Sequence, residues 1–305
     1  MTALAQTYST DIPVAQAHHA FRAMGTDVLL VLDAPPTADA VRALRDAERE
    51  LRRLEAIFTR FDPASELRRL ERDRARRCSP ELLEVLELAL DARVRSAGRF
   101  DPTVLPALRA AGYDRTFRAV RREPRPSTDP VPAGDGVHLD AATGLVALAH
   151  GAALDLGGIA TGWIADRLAD LLAETAPALV DAGGDIACTP RAGRRPWPVA
   201  LEDADLRIDL PAGGIATSGV DRRCWTDPET GAARHHVIDP RTGAPAETDL
   251  VRVTTVAATC AEAEAASTTL LVAGSTELLA AVAPFQVAWR AERRDGTLLA
   301  SPEFR

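Results

Sequence analysis

Asp155-Leu156-Gly157-Gly158-Ile159-Ala160-Thr161-Gly162 runs into an apolar, helix-forming segment, Trp163 to Glu174. Paired glycines just before a helix let backbone N–H groups approach a ligand, and the helix start favours an anion. A phosphorylated cofactor is a natural guest. The stretch is neither GxGxxG nor a GKS/T loop, so the standard nucleotide fingerprints fail. A tight strand-to-helix turn holding no ligand stays open as the alternative.

Outward from this turn, the pattern alternates irregularly. Val28 to Leu32 is a β-prone apolar run. Val41, Leu44, Ala47, Leu51, Leu54 and Ile57 recur at helical spacing and predict a helix from about Thr37 to Thr59, with Thr37 as its cap. Ser79-Pro80-Glu81 opens a second helix that stops at Gly98. Residues 121–134 read RREPRPSTDPVPAG, a loop. A short strand is expected to end at Ala182, and Arg252 to Ala257 is β-prone. Helices follow at about Ala261 to Val272 and Ser275 to Val282, then strands near 287–290 and 297–300. Helices and strands do not alternate regularly, so the expectation is α+β rather than a doubly wound sheet. Residues 1–20 read as a flexible lead and 21–305 as one domain with a loop or linker near 119–134.

The chain has 305 residues, enough for one large core or two joined lobes. With 46% hydrophobic and 26% charged residues it has a globular composition, and its net charge of -8 argues against a general affinity for nucleic acid. All 36 basic residues are arginine. Cys78, Cys188, Cys224 and Cys260 show no framework spacing and read as buried free thiols. The first residues show no basic n-region, no apolar h-region and no cysteine to receive a lipid. No stretch reads as long and apolar enough to span a membrane. The expected location is cytoplasmic, with no membrane anchor.

Three further segments carry chemistry. Asp181-Ala182-Gly183-Gly184-Asp185 brackets a glycine turn with two carboxylates, which could bond a ribose or isoalloxazine edge or hold the loop. In His235-His236-Val237-Ile238-Asp239-Pro240-Arg241-Thr242-Gly243, His236 or Asp239 could act as base or orienter. Equally, Asp239 could bond its own turn. On helix 261–272, Glu264 and Thr268 lie four apart on one face, a set that suits Mg²⁺ or a solvated surface.

In combination and order, these segments resemble the FAD:protein FMN transferases, also called the ApbE or thiamine-biosynthesis lipoprotein family. The likeness also takes in Met24-Gly25-Thr26, Phe61-Asp62-Pro63, Ser65-Glu66-Leu67, Phe100-Asp101-Pro102-Thr103-Val104, ATSG at 216–219 and TCAEAEAAST at 259–268, spanning roughly residues 20–275. The resemblance implies an ApbE-like, T-fold-like α+β fold of mixed sheets packed with helices in two interlocked lobes. It implies cleavage of FAD with Mg²⁺ (or Mn²⁺), and transfer of FMN to a Thr or Ser of an acceptor flavoprotein with release of AMP. A FAD pyrophosphatase and a non-catalytic FAD-binding or delivery protein stay open.

Carried over by position, the resemblance implies cofactor contacts at Met24, Phe61, Gly112, Tyr113, Asp155, Gly157, Gly158, Thr161, Asp181, Gly183, Gly184, Asp185, Ser218 and Ile238. It implies metal contacts at the Ala160 carbonyl, Glu264, Ser267 and Thr268, and it places His236, on the family histidine before the Ile238-Asp239-Pro240 turn, close to the reacting phosphate. Thr161 stands where the family commonly has lysine and Glu264 where it has aspartate. Ser267 stands where some members have a further acid. Asp221 replaces the usual aromatic after Ser218-Gly219.

Overall fold

The computed structural model describes residues 16–131, 133–201 and 206–304. Its centre is an eight-stranded sheet of strands 17–23, 26–32, 178–182, 185–188, 213–219, 250–257, 288–293 and 298–300, in that spatial order. Every neighbouring pair is antiparallel. Among the described residues seven α-helices accompany it: α1 (Ala38–Phe58), α2 (Glu66–Asp73), α3 (Pro80–Arg95), α4 (Leu105–Ala110), α5 (Phe117–Arg122), α6 (Ala160–Ala173) and α7 (Cys260–Val282).

The sheet has one face under helices and the other under a hairpin. Val28, Leu30, Val180 and Ala187 pack with the apolar faces of α1 and α6. The alternate residues Leu29, Val31, Leu179 and Ile186 pack with Trp197, Val199 and Leu210 of a two-stranded hairpin. Being covered on both sides, strand Thr26–Leu32 reads as an unbroken apolar run rather than an alternation. A smaller sheet of strands 75–77, 145–148 and 137–140 is hydrogen-bonded separately and packs Val146 and Leu148 into the same core.

Local expectations hold closely for α1, whose Thr37 side chain accepts from the Ala40 amide, and for α3, capped by Ser79. Three expectations need correction. Ala17–Ala23 is an edge strand, so the lead does not reach residue 20; residues 1–15 lie outside the described residues. Helix α6 starts at Ala160, placing Thr161 in its first turn. Helix α7 is long and apolar enough to cross a membrane by length and composition, contrary to the sequence reading. More than half of its apolar window is buried against the protein itself, and Gly274 interrupts it with φ 69°. That break separates the two helices expected at 261–272 and 275–282.

The linker is anchored. The Ser127 amide and hydroxyl both donate to Asp227, the Thr128 amide to Ala110, and the Ala133 amide to Pro240. All four cysteines are free thiols; Cys188 and Cys260 are buried, whereas Cys224 is exposed and Cys78 half-buried.

Candidate active site

Strand alternation sorts the two carboxylates of the 181–185 turn. Gly183 and Gly184, at φ 74° and 103°, form a two-residue hairpin, a backbone that only glycine adopts freely. Asp181 shares a face with Leu29 and Ile186 on the hairpin side, and its Oδ1 accepts from the Gly184 amide at 2.8 Å. It holds the loop. Burial pushes its pKa up to about 7. Asp185 pairs with Ala182 on the helix side. Removal of its carboxyl from water also raises it to about 7, against the pull of the Arg223 guanidinium.

On that side Asp185 meets the start of α7. Glu264 is buried, and its Oε2 accepts from the Gly162 amide of α6 at 2.8 Å. Burial first, then the charge of Asp185, hold its carboxyl well above the usual range. Next along the same face, Ser218 Oγ lies 2.8 Å from Ser267 Oγ and 3.0 Å from Thr268 Oγ1. These groups form an oxygen-rich floor.

The two helix starts touch. A Cβ on Gly162 would sit 2.6 Å from the Cys260 carbonyl oxygen, so glycine is required there. Asp166 of α6 accepts from the Cys260 and Ala261 amides at 2.8 and 3.0 Å, capping α7 from outside. Its burial raises it to about 6, opposed by those two N–H groups.

A separate aromatic cluster forms a wall. Tyr113, Trp225 and Ile238 share a cluster. Phe61 lies at its edge, 6.5 Å from Tyr113 between ring centroids. Gly112, at φ 94°, leaves room for Trp225. Arg60 joins the wall to the glycine turn through Asp155, at 2.7 Å. Asp155 Oδ1 also accepts from the Gly157 amide. Gly158 in turn abuts the Phe100 ring and the Thr268 hydroxyl. The turn that opened the sequence reading thus spans from wall to floor.

His236 lies within reach of the Arg223 and Arg60 charges. Burial, with the Arg223 and His235 charges, pushes its pKa down to about 3, so the ring is neutral. Its Nδ1 is buried with no partner in the described structure. Asp239 is different: its carboxylate takes the Arg241 amide, Nε and Nη2 at 2.8–3.0 Å. That is the turn-holding alternative, and it removes the free carboxylate a base would need. Met24, at φ 51°, forms a tight turn beside the 183–184 hairpin, and its amide donates to Glu55.

Sequence reasoning missed Arg60, Asp166, Arg223 and Trp225. Two of these are arginines among 36, with no local pattern to distinguish them. Asp166 acts on another helix, which no local spacing reveals.

A family model described as the ApbE family matches residues 24–289. The chain belongs to the ApbE family. Among curated ApbE relatives, a FAD:protein FMN transferase of Treponema pallidum is 32% identical over 221 residues, 63% of this chain and 60% of that protein. The chain thus spans about three-fifths of that relative's length. A Vibrio cholerae protein of the same name is 27% identical over 90% of this chain and 86% of its own length. The fold matches the crystal structure of the ApbE protein from Thermotoga maritima with a TM-score of 0.81 at 24% identity, over 95% of this chain and 98% of that one.

Proposed function

We propose that this chain is a flavin transferase that takes FAD, splits its pyrophosphate and passes FMN to a Thr or Ser hydroxyl of an acceptor flavoprotein, releasing AMP. One observation carries the reading: the 155–162 turn joins a partly exposed aromatic wall to a buried oxygen floor. A flavin ring suits the first and a pyrophosphate the second. The curated relatives bear the name of this activity.

The floor fits Mg²⁺. Among the described residues no group of three or more His, Cys, Asp or Glu side chains converges on a metal position. The floor instead offers a buried carboxylate, Glu264, beside Asp185, with hydroxyls at Thr268 and Ser267. The Asp185 charge raises the buried Glu264 carboxyl, and a cation beside the pair would relieve that repulsion. Mg²⁺ favours oxygen donors and completes its shell with phosphates and water. When bound, it supplies charge neutralisation for the pyrophosphate.

The chain's own residues do the rest. The Gly157-Gly158 turn and the first turn of α6 receive phosphate oxygens. Neutral His236 takes the proton as the acceptor oxygen bonds to the FMN phosphorus. The P–O bond to the AMP phosphate then breaks, and AMP leaves. A pyrophosphate beside His236 raises its pKa from the ligand-free value, which strengthens the base as substrate binds.

Incubation with FAD, Mg²⁺ and a candidate acceptor tests this. AMP release with FMN mass on the acceptor supports it. Free FMN regardless of acceptor indicates a pyrophosphatase, and binding without AMP indicates a delivery protein.

A further inference from the structure

Arg60 follows the last turn of α1, one residue beyond the Thr59 cap. Its side chain is 7% exposed, yet it carries a full charge at neutral pH. Four contacts surround it. Nε meets Asp155 Oδ2 at 2.7 Å, and Nη1 donates to the Tyr113 carbonyl at 3.1 Å. The guanidinium carbon lies 4.4 Å from the Phe61 ring centroid and 4.5 Å from that of Tyr113.

The two rings are inclined at 51°, so they do not stack on each other. What touches both is the Arg60 cation between them. Phe61 remains 44% exposed, an unusual position for a large aromatic whose inner face is fixed. That exposure leaves part of the ring open to a ligand. We propose that Arg60 is the positioning residue of this wall, setting Phe61 and Tyr113 at the angle that receives the isoalloxazine and locking that wall to the glycine turn through Asp155. The proposal rests on the flavin reading above.

Arginine suits this role and lysine does not. A guanidinium is broad and weakly hydrated, so it can touch two aromatic rings and still direct N–H groups to a carboxylate and a carbonyl. An ammonium is a compact, strongly hydrated charge that can satisfy Asp155 but cannot span both rings at once.

The test uses two probes that divide the ligand. Riboflavin reads the wall, and ADP reads the phosphate and adenylate half. Arg60→Lys and Phe61→Leu should each weaken riboflavin about tenfold, as expected for a lost cation–π platform, and leave ADP within about twofold. The double variant should be no weaker than the poorer single one, because both changes remove the same platform. Losses that multiply, unchanged riboflavin binding in Arg60→Lys, or an equal loss of ADP would each overturn the proposal. If Arg60→Lys does not fold, Asp155→Asn carries the same test. It removes the charge anchoring Arg60 and keeps an acceptor for the Gly157 amide. It should weaken riboflavin with ADP retained; unchanged riboflavin binding overturns the proposal. A wild-type protein that binds neither probe overturns the flavin reading itself, and this proposal with it.

Discussion

The Gly162 amide donates to Glu264 Oε2 across 2.8 Å, joining the first turn of α6 to the first turn of α7. This bond fixes where the carboxylate points. Glu264→Gln keeps the acceptor and removes the charge. It should lower metal-dependent AMP release by about 100-fold or more, the scale on which lost charge stabilisation acts, with the fold retained. Glu264→Asp shortens the arm, leaves the buried amide unsatisfied at about 1–3 kcal/mol, and should also lower turnover. AMP assays with and without Mg²⁺, beside thermal melts, check both. Normal metal-dependent turnover in Glu264→Gln would remove Glu264 from the site.

His236 and Asp239 sit three residues apart and should behave differently. His236→Asn should cut AMP release about 10²- to 10⁴-fold, the range of general-base catalysis, while FAD affinity changes little. Asp239→Ala should instead lower the melting temperature, because Arg241 and the turn lose their acceptor. Its turnover per folded molecule should stay within about threefold, well short of a lost general base. The reverse pattern would make Asp239 the base.

Asp181 predicts a pH dependence of stability. Burial raises it from 3.8 to about 7 in the folded chain. The folded state therefore binds more protons than the unfolded state between those values. Stability from this group is full below about pH 4 and is lost as pH rises through about 7. Ligand-free protein should melt lower at pH 7.5 than at pH 5.5. Asp181→Asn keeps an acceptor for Gly184 and should shrink that difference, leaving the share of Asp185 and Asp166. An unaltered slope in the variant would contradict the assignment.

Gly162→Ala places a methyl against the Cys260 backbone, which cannot rotate away. Overpacking of this kind costs about 1–3 kcal/mol and should appear as a lower melting temperature. At Gly157 the same change meets the Asp155 carboxylate at 3.0 Å. A side chain can shift, so Gly157→Ala should cost less. Equal losses would mean that the two helix starts are not in contact.

What the sequence disclosed follows a physical line. Thr37 and Ser79 announced their helices because a cap acts within three residues of itself. The DAGGD hairpin and the glycine turn were equally legible, since both are local backbone requirements. The separation of Asp181 from Asp185 was not, because it needs the strand register. Arg60 stayed hidden for another reason: its partners lie at Phe61, Tyr113 and Asp155, and only folding assembles them. The edge strand at 17–23 was masked by polar residues alternating on its open side.

Strands 26–32 and 178–182 are neighbours in the sheet, yet residues 33–177 separate them along the chain. Closing a loop of that length costs entropy before any pairing repays it. The strands from 178 onward join near neighbours instead. Refolding should therefore begin in the C-terminal half and end with the seam between Leu30 and Val180. Pulse-labelling hydrogen exchange would show amides of 250–257 protected before those of 26–32. Thr26, two residues after Met24, lies against Gly183 at the end of that seam. On the proposed flavin reading, competence to hold FAD would arrive with the last step of folding, and a partly folded chain would have no complete site in which to trap it.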